Sequence, residues 1–210
     1  MRFLITAGPT REAIDPVRYL TNRSTGRMGY ALAGAARHEG HEVVLISGPT
    51  TLDVPEGVDF IQVESAQQMY DAVRDMLRRV DVAILCAAVA DYRPVAVAEH
   101  KIKKSDAPLT LQLERTPDIL GSMRDVFGFQ GVLVGFAAET QDMLTHAQDK
   151  LRRKGCNMIV ANDVSRPGIG FGAAENEVAL VYPDRVEPLP RESKEWVAMR
   201  IIEHAIALLP

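Results

Sequence analysis

The residues best suited to chemistry in this 210-residue chain fall in one stretch, Asp15-Pro-Val-Arg-Tyr-Leu-Thr-Asn-Arg-Ser-Thr-Gly-Arg-Met-Gly29. It holds an amide, Asn22, two hydroxyls, Ser24 and Thr25, and three arginines, Arg18, Arg23 and Arg27. It separates an apolar run, Phe3 to Ala7, from a helical pattern that begins near Gly26. Such a stretch is expected to stay out of the core, where its polar groups would lack partners. It is also longer than the usual strand-to-helix connection, and long loops in compact domains are binding loops or disorder. The helix start beside it offers unpaired N–H groups and the positive end of a dipole, which suit an anion. The expectation is that a phosphate-bearing substrate is held and activated here. Asn22 taken alone is read equally well as a turn residue bonding its own backbone. Three arginines beside a helix start, in a chain of net charge −4, favour an anion site over a solvated face.

The elements that position this stretch are legible from hydrophobic periodicity. Phe3–Ala7, Glu42–Ile46, Val82–Ala88 and Val132–Phe136 read as buried strands, and Phe60–Val63 and Met158–Val160 as further short strands. Val82–Ala88 is the most apolar and is expected at the centre. Met28, Ala31, Leu32, Ala35 and Ala36 repeat at helical spacing, with Ser24 or Thr25 as cap and Gly40 as stop. A second helix runs through Met69, Val73, Met76 and Leu77 and opens near Ser65. Leu109–Leu113 alternates as a half-exposed strand should. Thr116-Pro117-Asp118 reads as the opening of a short helix, with Thr116 as cap and Pro117 in first position. A charged helix spans Asp142 to Lys154 and stops at Gly155. Pro167 to Gly172 is a glycine-rich loop, Val178–Val186 a hairpin and Trp196–Leu209 a closing amphipathic helix. Strand and helix alternate, which predicts an α/β, Rossmann-like three-layer sandwich with a mostly parallel central sheet and a C-terminal β-hairpin extension. A single domain over residues 1–210 is expected.

Other motifs stand at strand ends, where open α/β sheets bind ligands. Cys86-Ala-Ala-Val-Ala-Asp91-Tyr92 offers small residues that let a ring or ribose approach, with Asp91 to accept sugar hydroxyls; its bland reading is tight packing and a turn. Gly135-Phe-Ala-Ala-Glu-Thr140 is similar, and Phe136 either stacks on a base or joins the core. Lys101-Ile-Lys103-Lys104 places two lysines on one side of an extended segment and gains weight by following a strand end. Lys150 and Lys154 share a helix face, where cations also simply complement the dipole.

Composition narrows the classes. Apolar residues make up 47% of the chain, ample for a core. The acidic balance argues against nucleic acid or an anionic membrane surface as partner. Cys86 and Cys156 sit in apolar runs without metal or redox spacing and read as free buried thiols of a cytoplasmic protein. No signal peptide and no membrane-length apolar run is present. An NAD(P)-dependent reductase would need GxGxxG after the first strand and an acidic residue ending the second. Here Gly8 is followed by Pro9, and the second strand ends in Ser47-Gly48-Pro49, so that reading is the weaker alternative, together with a non-catalytic nucleotide-binding module.

Together the motifs resemble phosphopantothenate–cysteine ligase, in the bacterial CTP-using form. The resemblance rests on Gly8-Pro-Thr-Arg-Glu12, Asp15-Pro-Val-Arg-Tyr19, Asn22 with Ser24-Thr-Gly26 and Met28-Gly29, Ala87-Ala-Val-Ala-Asp-Tyr92, Lys101-Ile-Lys-Lys104, Thr116-Pro-Asp-Ile119, Gly135–Thr140 and Ala161-Asn-Asp-Val164. It implies a Rossmann-like homodimer in coenzyme A biosynthesis. CTP would activate the carboxylate of 4′-phosphopantothenate as an acyl-cytidylate, and L-cysteine would then take the acyl group. It implies Asn22 as the catalytic asparagine and Lys101 as the triphosphate lysine. Arg18 and Ala88 match positions tied to acyl-cytidylate formation or turnover. Leu85, Cys86, Ala87, Asp91, Pro117, Asp118, Ile119, Leu120, Phe136, Lys150 and Lys154 match nucleotide contacts. It implies Mg2+ with the CTP, although no residue spacing here identifies its ligands. It also implies a phosphopantothenoylcysteine decarboxylase as partner: in many bacteria that flavin-dependent domain precedes the ligase in one polypeptide, whereas this chain opens at the ligase's first strand. A free-standing ligase and an excised half both fit that opening.

Overall fold

Continuous apolar runs make the sheet, and amphipathic runs make the helices that cover it. The computed structural model describes residues 1–106, 108–139, 142–163 and 172–210. The chain runs β1 (Arg2–Ala7), β2 (Arg11–Asp15), β3 (Arg18–Thr21), α1 (Arg27–His38), β4 (Glu42–Ser47), β5 (Asp59–Gln62), α2 (Ala66–Met76), β6 (Val82–Leu85), β7 (Tyr92–Pro94) and β8 (Leu113–Arg115). It continues through α3 (Ile119–Asp125), β9 (Val132–Glu139), α4 (Met143–Lys154), β10 (Met158–Asp163), β11 (Glu175–Val181), β12 (Val186–Ser193) and α5 (Lys194–Ile206).

The main sheet has the order β12-β11-β10-β9-β6-β1-β4-β5. From β5 through β10 every neighbouring pair is parallel, and β11 and β12 add antiparallel to the β10 edge. Strand residues alternate between two cores. Phe3, Ile5, Val82 and Ile84 face α1 and α5, and Leu4, Val44, Ala83 and Leu133 face α2, α3 and α4. Phe3, Leu4 and Ile5 are all fully buried, which is why this strand shows no polar alternation. The three layers, the parallel sheet, the central β6 and the terminal hairpin match the sequence expectation.

Four local expectations are corrected. The stretch before Asn22 is not an open loop: Arg11–Thr21 folds as the β2–β3 hairpin, and the Asp15 carboxylate is buried within it. It can be buried because Val17 N, Arg18 N, Ile102 N and the Arg18 guanidinium all donate to it. Neither Ser24 nor Thr25 is the N-cap of α1; that position is Gly26, at φ 81°, a left-handed conformation that suits glycine. Ser24 Oγ instead accepts from Gly26 N at 3.3 Å. Leu109–Leu113 does not form a strand; only Leu113–Arg115 pairs, with β7. Leu109 stays 57% exposed, so no apolar face is buried there to make alternation matter. Finally, α3 is capped by Asp118, whose carboxylate accepts from Gly121 N at 2.8 Å, while Thr116 Oγ1 donates to Ala90 O at 2.6 Å. Apart from Gly172, the glycine-rich stretch from Pro167 lies outside the described residues, as do Thr140 and Val164 of two motifs.

Candidate functional site

From β1 the chain passes through α1 to β4 on one side, whereas β6 lies on the other side of β1 and is followed outward by β9 and β10. The carboxyl ends of β1 and β6 therefore border the switch point where such sheets leave a crevice. A cavity of about 620 Å³ opens there, within the usual range for small-molecule sites of roughly 300–1,000 Å³. One wall is the segment that follows β6, and the end of β1 holds it in place. Thr6 Oγ1 accepts from Ala87 N at 3.1 Å, Ala88 N donates to Gly8 O at 2.9 Å, and Thr10 Oγ1 accepts from Ala90 N at 2.9 Å. Thr116 closes the other side of this segment through Ala90 O. The small side chains of Cys86, Ala87 and Ala88 leave room for a ligand against a fixed backbone.

Of the twelve residues matched to nucleotide contacts, Leu85, Cys86, Ala87, Asp91, Pro117, Asp118, Ile119, Leu120, Phe136, Lys150 and Lys154 line this one cavity, as does Ala88, whereas Lys101, the triphosphate lysine, does not. The helical spacing of Lys150 and Lys154 is what delivers both. Lys150 Nζ donates to Phe136 O at 2.7 Å, and Lys154 pairs with Asp118. Burial raises the Asp118 pKa, but hydrogen bonds from Lys154 and Gly121 N outweigh it and leave the carboxyl below its ordinary value. Burial pushes the Cys86 thiol up to about 12, against the opposing charge of Lys194. Cys86 therefore stays protonated and contributes shape rather than a nucleophile.

Asn22, Arg18 and Lys101 do not line the cavity. Asn22 reaches its wall: Nδ2 donates to Ala88 O at 2.9 Å and to Val89 O at 3.1 Å. To donate to a substrate, the amide must exchange one of these carbonyls for it. Arg18 is held by Asp15, and its Nη2 also donates to Ile102 O at 3.0 Å. Ile102 N in turn donates to Asp15 Oδ2 at 3.1 Å. The buried Asp15 thus fastens the Lys101–Lys104 segment to the hairpin that leads into Asn22. Its carboxyl lies far below the usual carboxylate range, chiefly through the Arg18 hydrogen bond.

The three arginines do not converge as expected. Arg27 lines the cavity, Arg23 does not, and Arg18 is committed to Asp15. In their place the fold supplies Asn162 from β10, which stands in the Ala161–Val164 motif, and two residues that no motif contained, Asn176 from β11 and Lys194 from α5. The three are far apart in sequence, and only strand pairing brings them together, so no local pattern signals Asn176 or Lys194. Among the described residues no three His, Cys, Asp or Glu side chains gather as a metal cage. Among the described residues that line the cavity, the carboxylates are Asp118, which caps α3, and Asp91. A single carboxylate fits a magnesium ion carried in on phosphates, the usual way this ion is held.

Comparison with known proteins identifies the family. A family model described as the DNA/pantothenate metabolism flavoprotein C-terminal domain matches residues 1–209. The "Coenzyme A biosynthesis bifunctional protein CoaBC" of Bacillus subtilis is 51% identical over 207 residues, covering 98% of this chain and 51% of that protein. The protein of the same name from Vibrio parahaemolyticus is 50% identical over 202 residues, covering 95% of this chain and 51% of its own. The chain thus spans about half the length of the curated relatives it matches. A crystal structure of the C-terminal domain of a CoaBC protein superposes with a TM-score of 0.83 at 46% identity, covering 99% of this chain and 95% of that one. The fold, the switch-point cavity and these matches agree, and the chain belongs to the DNA/pantothenate metabolism flavoprotein C-terminal domain family.

Proposed function

We propose that this chain joins 4′-phosphopantothenate to L-cysteine in coenzyme A biosynthesis, with CTP converted to CMP and pyrophosphate. The observation that carries the reading is the cavity at the β1–β6 switch point, lined by eleven of the twelve residues matched to nucleotide contacts. In the first step a carboxylate oxygen of the acid attacks the α-phosphorus of CTP and pyrophosphate leaves. In the second, the cysteine amine attacks the acyl carbon, loses a proton, and CMP leaves as the amide forms.

The chain's own groups suit these steps. Lys150 and Lys154 bring positive charge to one side of the cavity and Arg27 to the other. The Cys86–Ala88 wall fixes the nucleotide against the sheet, and accurate positioning is a large share of such catalysis. Asp91, at the cavity wall, is read as meeting ribose hydroxyls or a phosphate-borne Mg2+, which would neutralise phosphate charge when bound. Lys101, on the segment fastened by Asp15, is read as closing over the triphosphate. Asn22, bonded to the Ala88 carbonyl, is read as donating to the developing oxyanion. Removal of one such donor typically costs roughly 100- to 1000-fold in rate.

The reading includes a homodimer. Val17 and Tyr19 of one hairpin and Tyr92 of the other are exposed apolar side chains, and β2 lies against β7. It also includes a cytoplasmic location, in keeping with two free cysteines, and a linked decarboxylase, in keeping with the bifunctional relatives. No described helix is long and apolar enough to cross a membrane. The test is pyrophosphate release with 4′-phosphopantothenate and either CTP or ATP, with and without cysteine. Release that requires CTP, occurs without cysteine and turns over only with it is expected. Silence in every arm overturns the reading.

A further inference from the structure

The cavity has an end away from α3 and α4, on the face of the sheet covered by α1 and α5. Arg27, Met28, Cys86, Asn162, Asn176 and Lys194 form it. Lys194, the first residue of α5, is only 3% exposed. Its Nζ donates to Asn176 Oδ1 at 2.8 Å and to Glu175 O at 3.2 Å. Asn176 is equally buried, and its Oδ1 also accepts from Asn162 Nδ2 at 3.4 Å. Its own amide nitrogen points at Met28 Sδ, 3.5 Å away. Asn176 and a backbone carbonyl therefore fix an ammonium group at the cavity wall, and Asn162 in turn bonds to Asn176, rather than leaving it on a swinging surface side chain.

The surroundings make this end electropositive. Burial lowers the Lys194 pKa and the charge of Arg27 adds to this, with Cys86 and Glu195 acting in the opposite sense. Arg27 opens α1 and Lys194 opens α5, so the positive ends of a 12-residue and a 13-residue helix meet here. An anion is favoured where cations and helix N-termini border one cavity. A phosphoryl group, with its multiple charge, matches two cations and two helix ends better than a single carboxylate does.

We propose that Lys194, held by Asn176 and Asn162, binds a phosphoryl group of a substrate at the α1–α5 end of the cavity. This rests on the ligase reading, whose reactants carry phosphoryl groups from two sources: the nucleotide's triphosphate and the 4′-phosphate of the acid. The experiment measures binding of CTP, CMP, inorganic pyrophosphate, 4′-phosphopantothenate and pantothenate by calorimetry to the wild type and to Lys194→Met, Lys194→Arg and Arg27→Gln. Loss of a charged hydrogen bond predicts about 10- to 100-fold weaker binding of the ligand that Lys194 holds.

If the nucleotide is the source, Lys194→Met weakens CTP and pyrophosphate and spares CMP. If the acid is the source, it weakens 4′-phosphopantothenate and spares pantothenate and the nucleotides. In either case Lys194→Arg retains most of the affinity, and Arg27→Gln weakens the same ligand to a smaller degree. Arg27 is exposed, so that variant keeps the test decisive should Lys194→Met fail to fold. Unchanged affinities in the folded variants, or equal loss for CTP and CMP, overturn the proposal. Wild-type pyrophosphate release alongside such a result removes this inference and leaves the ligase reading standing. Wild-type silence removes the ligase reading, while pyrophosphate titration still reports on the subsite.

Discussion

Two glycines of α1 allow a sharp test of how the first helix is seated on the sheet. A Cβ at Gly29 would lie 2.5 Å from Ala7 Cβ, 3.0 Å from Ala7 Cα and 3.1 Å from Thr6 O. Carbon atoms normally sit about 3.5–4.0 Å apart, so helix and strand must separate by about an ångström, and Ala7 lies in the buried strand β1 with no room to retreat. A Cβ at Gly34, on the same helix, meets nothing within 4 Å. Both Gly→Ala changes gain up to about 1 kcal/mol of helix propensity, so their difference isolates the packing. Overpacking costs about 1–3 kcal/mol. For a domain of this size each kcal/mol moves Tm by about 2–4 °C. Thermal denaturation should therefore find Gly34→Ala slightly stabilised, and Gly29→Ala about 2–12 °C below it. The same displacement moves Ser24–Arg27 at the cavity rim, so Gly29→Ala should also raise the KM for a phosphorylated substrate, which Gly34→Ala should leave alone. Indistinguishable Tm values for the two variants would refute the close approach of α1 to β1.

Other consequences can be measured in the same way. Asn22→Asp is expected to form the acyl-cytidylate yet pass it slowly to cysteine, so ordinary turnover without trapped intermediate refutes its role; Lys101→Gln should abolish the first step, and a normal pyrophosphate burst would count against that. Asp15→Asn removes the acceptor shared by Arg18 and Ile102, so it should slow the first step more than it weakens CMP binding, with Asp15→Glu restoring part of the rate; equal losses in both would indicate general damage. The Asp118 carboxyl is depressed in the folded chain, so its contribution to stability is complete above its ordinary value of 3.8 and is lost as pH falls through the lower folded value. The stability gap between wild type and Asp118→Asn should accordingly shrink below about pH 4, and a gap constant down to pH 2 would exclude the linkage. Burial pushes both thiols up to about 12, leaving about one in ten thousand as thiolate at pH 8. Alkylation of the folded protein should be slow at Cys156, which is buried, and at Cys86, which lines the cavity but stays protonated, and rapid labelling of either contradicts the raised pKa.

The sequence alone determined the layered α/β architecture, because strands buried on both faces must be continuously apolar and the helices between them must carry one apolar face. Phe3–Ala7, Val82–Ala88, of which only Val82–Leu85 forms the strand, and Val132–Phe136 announced themselves in this way, and so did the shared face of Lys150 and Lys154. The motifs at the strand ends were also readable, since ligands of such sheets gather where strands stop. Tertiary structure decided whatever depends on a partner distant in the chain. Leu109–Leu113 alternates, yet no layer covers it. Asp15 looks like a loop residue, yet backbone N–H groups from its own turn and from Ile102 let its charge be buried. Thr116 had the chemistry of a cap but bonds to Ala90, and Asp118 took the cap. Lys194, Asn176 and Asn162 meet only because β11 pairs with β10 and α5 starts beside them. Local pattern records which face of an element is buried; it holds no record of which distant groups that burial sets side by side.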